Sequence, residues 1–128
     1  MEVMLDTSFI LTCLKEKIDF LEAEEFGRLV IPKQVIAELE KIKKVGKKLK
    51  ERPLAELALQ IIEKNTEKFK FVSLEKEFVD KGIVLYVKER EKAGEEMIVA
   101  TLDREIKKEL KEKASFLIIR AGKKLEIV

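Results

Sequence analysis

EVMLDTSFIL, residues 2–11, carries a short apolar run, Val3-Met4-Leu5, straight into an aspartate with two hydroxyls behind it, and then resumes with Phe9-Ile10-Leu11. The first run reads as a buried strand and the second as the start of a helix. Asp6, Thr7 and Ser8 suit the junction on local grounds alone, because their side-chain oxygens accept the unpaired N–H groups of a helix's first turn. A second reason for an acid at this place depends on whether other acids follow strands in the same way.

Working outward, the pattern repeats. Helical sequence runs through FILTCLKEK and DFLEAEEF, and RLVIP is a second strand, stopped by Pro32. From Lys33 a helix carries Val35, Leu39, Ile42 and Leu49 at helical spacing, with Gly46 near its end. Pro53 suits the first turn of the next helix, whose stripe is Leu54, Leu57, Ala58, Ile61 and Ile62. FKFVSL is a third strand, Val79, Ile83, Val84 and Val87 mark a helix, and EMIVATLD is a fourth strand. Ile106 and Leu110 mark another helix, SFLIIR is a fifth strand, and KLEIV offers a sixth. Such alternation predicts an α/β fold: a three-layer α/β/α sandwich around a mainly parallel sheet of about five strands. No internal repeat or linker divides residues 1–128, so one domain is expected.

Composition narrows the chemistry. With 46% hydrophobic and 41% charged residues, the chain is globular rather than disordered. Histidine is absent and Cys13 is the only cysteine, which excludes Ser-His-Asp and Cys-His catalysis, histidine-ligated zinc and an intrachain disulfide. Any metal would be a hard cation held by oxygens. No apolar run is long enough for a bilayer, and Glu2 and Asp6 interrupt the N-terminal stretch where a signal peptide would be apolar. A reducing, cytoplasmic setting is expected.

Ligands of open parallel sheets bind outside the carboxyl ends of the strands, where the strand order reverses. Asp6 follows the first strand and Asp103 follows the fourth, so both belong at that edge. Asp103 also suits capping of the helix with Ile106 and Leu110. Glu38, in IPKQVIAELEKI, lies along the apolar stripe, three after Val35 and four before Ile42. A carboxylate beside a buried stripe needs a partner, either water, a lysine or a ligand. Asp80 could favour the positive end of its helix dipole or project toward the strand ends.

Together these segments resemble the PIN-domain nuclease superfamily over nearly the whole chain. MLDTSFIL is similar to the family's opening strand–Asp–Thr/Ser–helix motif, and IPKQVIAELEKI to its second, in which a strand ends in Pro and the next helix carries an acid before Leu. VDKGIVLYV and IVATLDREIKKEL resemble the third and fourth, closest to archaeal and ribosomal-RNA-processing branches rather than to the toxin members. The resemblance implies an endoribonuclease dependent on Mg²⁺ or Mn²⁺. On matching positions Asp6, Glu38, Asp80 and Asp103 would form the catalytic, metal-binding acidic cluster. Ser8 or Thr7 would help to position metal-bound water, with Thr101 as a further supporting residue. It also implies RNA as substrate, an antitoxin or a ribosome-assembly protein as partner, and a homodimer as a common state. One position departs: Lys81 stands where many relatives carry a second Asp, so Asp80 would have to act from one residue away, about 100° round a helix.

The run KIKKVGKKLKER supplies Lys43, Lys44, Lys47, Lys48 and Lys50, which could neutralise RNA phosphates without reading bases or could simply be a solvated surface. Phe69, Phe71 and Phe116 fall in strands and are expected in the core. Two rivals remain. A catalytically degenerate PIN-like RNA-binding or assembly module is favoured by Lys81. A phosphohydrolase or receiver domain fits less well, because Ser8 stands where the former wants a second Asp and Glu2 is a poor substitute for the latter's acidic pair.

Overall fold

The computed structural model describes residues 1–75, 78–121 and 123–128. Six strands form one sheet in the order β3-β2-β1-β4-β5-β6: β1 Glu2–Leu5, β2 Arg28–Pro32, β3 Phe69–Val72, β4 Met97–Ala100, β5 Ser115–Arg120 and β6 Lys124–Ile127. All neighbours are parallel except β5 and β6. The expected mainly parallel sheet is therefore present, with KLEI as the sixth strand.

Strand alternation explains the layers. Val3, Leu5, Leu29, Ile31, Ile98 and Ala100 point to one face, where they pack with Phe9, Ile10, Leu39, Ala55 and Ala58. These residues come from α1 (Thr7–Lys15), α2 (Lys33–Val45) and α3 (Glu51–Lys64). The intervening Met4, Val30, Met97 and Val99 point to the other face, against Ile83, Val87 and Ile106 of α4 (Val79–Lys92) and α5 (Arg104–Glu109). A sheet buried on both faces requires near-continuous apolar strands, and β1 and β4 have them.

Four expectations change. DFLEAEEF is not a continuation of α1 but a separate 3₁₀ helix, Phe20–Phe26, capped by the Asp19 carboxylate, which accepts from Leu21 N at 2.9 Å. α2 stops at Val45, so Leu49 leaves the stripe and is 70% exposed in the α2–α3 connection. Of the three strand phenylalanines, Phe69 is buried and Phe116 packs on the second core. Phe71, on the edge strand β3, is exposed. Leu57, on the predicted α3 stripe, is exposed as well.

The chain runs outward from β1 through β2 to β3 and then returns to β4 on the other side of β1, so the strand order reverses between β1 and β4. Their register pairs Leu5 with Ala100, and Asp6 N donates to the Ala100 carbonyl at 3.1 Å. The segments that follow both strands thus leave the sheet side by side.

Candidate active site

Asp6 is the buried centre of this junction. Its Oδ1 accepts from Thr7 N at 2.8 Å, and its Oδ2 accepts from Thr101 Oγ1 at 2.6 Å and Ser8 Oγ at 3.2 Å. The two hydroxyls work in both directions. Thr101 Oγ1 accepts from Asp103 N at 3.0 Å, and Ser8 Oγ accepts from Leu102 N at 3.3 Å. The start of α1 and the β4–α5 connection are thereby fastened together around one carboxylate. Burial raises the Asp6 pKa above the ordinary value, and the nearby Glu38 charge adds to the rise. The donors from Thr101, Thr7 and Ser8 oppose it.

Asp103 caps α5, accepting at Oδ1 from Glu105 N at 2.8 Å and Ile106 N at 3.3 Å. Capping and membership of an acidic site coexist here, because the second carboxylate oxygen accepts no hydrogen bond among the described residues. Asp6, Glu38, Asp80 and Asp103 all line one open cleft of about 520 Å³, together with Thr7, Ser8, Leu11, Glu51, Phe78, Val79 and Leu102. Glu38 is exposed on the cleft side of α2 rather than held against the apolar stripe, where Val35 and Leu39 are the buried positions. Asp80 is exposed at the first turn of α4.

Lys81 does not line this cleft, although its Nζ stands 5.8 Å from the centre of the cleft-lining Phe78 ring. It lines an adjoining groove between α4 and α5 with Val84, Lys88 and Ile106, and Asp80 borders both. Asp80 is the acid of this segment that lines the cleft. Its position depends on two contacts of the β3–α4 connection. Gln34 clamps Leu74 with a pair of hydrogen bonds, Nε2 donating to the Leu74 carbonyl at 2.9 Å and Oε1 accepting from Leu74 N at 3.1 Å. Gly82 lets α4 approach Leu74 so closely that a β-carbon on Gly82 would lie 2.8 Å from the Leu74 Cβ.

Two lining residues escape sequence reasoning. Glu51, half-buried at the start of α3, is a fifth acid of the cleft; in the sequence it looks like any first-turn glutamate. Phe78 gives the cleft an exposed aromatic. Lys47, Lys48 and Lys50 line a second groove with Lys15 and Leu49, which adjoins the cleft through Leu11 and Glu51. Lys43 and Lys44 are exposed but do not line it.

The donor chemistry suits a hard cation. The cleft offers five carboxylates, and none of them is ion-paired with a lysine or arginine among the described residues. Thr7 adds a buried Oγ1 without a hydrogen-bond partner, a donor oxygen left over by the fold. Among the described residues no three acids converge closely enough to grip an ion by themselves. Cysteine chemistry is not available: Cys13 is buried, and burial, aided by Asp19 and Glu22, pushes its thiol up to about 12.

The protein is thus an α/β protein with an acid-lined cleft at the switch point of its parallel sheet, where ligands of such sheets bind, and with basic surface beside it. Residues 3–121 match the family model described as PIN domain, so the chain belongs to the PIN-domain family. Among solved structures it is similar to one titled "Structure of the PIN domain endonuclease Utp24", at 25% identity and a TM-score of 0.75, over 98% of this chain and 90% of that one. No curated protein matches. Among the described residues no helix is long and apolar enough to cross a membrane.

Proposed function

We propose that the chain is an endoribonuclease dependent on Mg²⁺ or Mn²⁺, with Asp6, Glu38, Asp80 and Asp103 as its acidic cluster. The observation that carries this reading is that four acids, spread from position 6 to 103 in the sequence, line one cleft with no basic partner among the described residues. Asp6 and Asp103 are first choices to hold the ion, and Glu38 and Asp80 would complete the set of acids around it. Once bound, the ion neutralises phosphate charge, polarises the phosphoryl group and acidifies water. The chain's own contribution is positioning. Thr101, Ser8 and Thr7 N fix the Asp6 carboxylate, and Glu38 and Asp80 on the rim are free to orient the attacking water and accept its proton. Lys15, Lys47, Lys48 and Lys50 hold the RNA backbone by neutralising phosphates.

The motif resemblance favours a structured RNA precursor as substrate and a ribosome-assembly protein as partner, over a toxin role with an antitoxin. The second reading, a degenerate RNA-binding or assembly module, rests on Lys81 standing where many relatives carry an acid; Asp80 lining the cleft supports the nuclease reading over it.

The test is cleavage of a labelled structured RNA by the purified protein in EDTA, Mg²⁺ or Mn²⁺, beside Asp6→Asn. Metal-dependent cutting that falls at least about a hundredfold in the variant is expected. Equal activity in both proteins, with contaminating nuclease excluded, would remove Asp6 from the mechanism. RNA binding without cutting under either metal would return the module reading.

A further inference from the structure

Phe78 occupies a position where the fold gains little from it. It is the N-cap residue of α4, a place that favours Ser, Thr, Asp or Asn, and its side chain makes no capping hydrogen bond. It is also 61% exposed, whereas Phe9 and Phe20 are fully buried. Single exposed aromatics are ordinary on protein surfaces. This one, however, lines the cleft that holds the four acids, and Leu102, also exposed, lines it too. Lys81 Nζ stands 5.8 Å from the centre of the Phe78 ring. Its backbone is tied into α4, since the Phe78 carbonyl accepts from Gly82 N at 3.0 Å. The ring is thus an exposed π-face at the start of α4, with a positive charge beside it and the acid cluster in the same cleft.

We infer that Phe78 is a stacking platform for an unpaired nucleobase of the RNA, next to the phosphate held at the acids. Lys81 steadies the ring and attracts a neighbouring phosphate. The proposal rests on the nuclease reading and adds a substrate feature to it: at least one unpaired nucleotide beside the cut. A stacked base is recognised by its π-face and not by its edges, so all four bases are accepted. The charges favour RNA over an apolar peptide, because a cleft of carboxylates with flanking lysines complements a polyanion carrying cations.

The experiment measures binding apart from cutting. Affinities of the full chain, Phe78→Ala and Phe78→Trp for a short single-stranded RNA are compared in EDTA, and repeated with an abasic nucleotide moved along the RNA. Phe78→Ala is expected to weaken binding roughly 5- to 150-fold, and Phe78→Trp to match or exceed the parent. With the abasic nucleotide at the stacked position, Phe78→Ala and the parent should bind alike. Equal affinity of Phe78→Ala and the parent for intact RNA would overturn the platform, as would a loss that persists at every abasic position. Failure of the parent to bind RNA both in EDTA and with Ca²⁺ in place of Mg²⁺ overturns both readings. Binding that depends on Phe78 without Mg²⁺-dependent cutting removes the nuclease reading alone.

Discussion

Asp6 carries a conflict that the rest of the chain does not resolve. It is buried, close to Glu38, and its pKa is raised chiefly by loss of water, despite three donated hydrogen bonds. An acid whose folded pKa lies above its unfolded value binds more protons in the folded state. Stability then falls as pH rises from the unfolded toward the folded value, and the penalty persists above it. In EDTA, Asp6→Asn is therefore expected to melt at a higher temperature than the parent at neutral pH. The gap should narrow as the pH is lowered through the carboxylate range; melting curves across pH 3 to 8 measure it. A divalent cation should raise the melting temperature of the parent and leave that of Asp6→Asn nearly unchanged, because ligand binding to the native state stabilises by mass action. A parent that melts no lower than Asp6→Asn at neutral pH would show that the buried charge is compensated.

At the scale of elements, α4 supplies one side of the site. It brings Asp80 and Phe78 to the cleft, and its approach is limited by one contact, Gly82 on Leu74. Gly82→Ala gains helix propensity of up to about 1 kcal/mol. It also forces a methyl group to 2.8 Å from the Leu74 Cβ, in a place where Leu74 is buried and clamped. Overpacking of this kind typically costs about 1–3 kcal/mol, so net destabilisation is expected by chemical denaturation. RNA cleavage should fall more than stability explains, as α4 shifts Asp80 away from Asp6 and Asp103. A variant as stable and active as the parent would mean that the Leu74 loop yields freely. The α2–α3 connection is held differently, by Arg52 Nε donating to the Gly46 carbonyl at 2.7 Å, and it presents the lysines to the groove beside the cleft.

At the scale of the whole molecule, a net charge of +2 hides a division between an acidic cleft and the basic groove next to it. Replacing Lys47, Lys48 and Lys50 by Gln should weaken RNA binding and make its dependence on log salt concentration shallower by roughly two. The same change at Lys43 and Lys44 should have a smaller effect per residue, and titrations between low and physiological salt compare them. Much of this organisation was legible in the residues. Continuous apolar strands and amphipathic helices are local patterns, so the parallel sheet could be read directly. Asp6 and Asp103 could be placed because acids that directly follow parallel strands must leave the sheet at the same edge. Exposure was harder to read, since it depends on what other elements cover: Leu49, Leu57 and Phe71 look like core residues and are exposed, and Glu38 looks half-buried and is not. By itself, the sequence determined the layered α/β architecture and the two acids at the strand ends. Only the tertiary structure decided that Asp80, rather than Lys81, borders the cleft, that Glu51 and Phe78 join it, and that Lys15 completes the basic groove. Each of those placements depends on how separate helices pack across the sheet, and periodicity within a single helix cannot encode that.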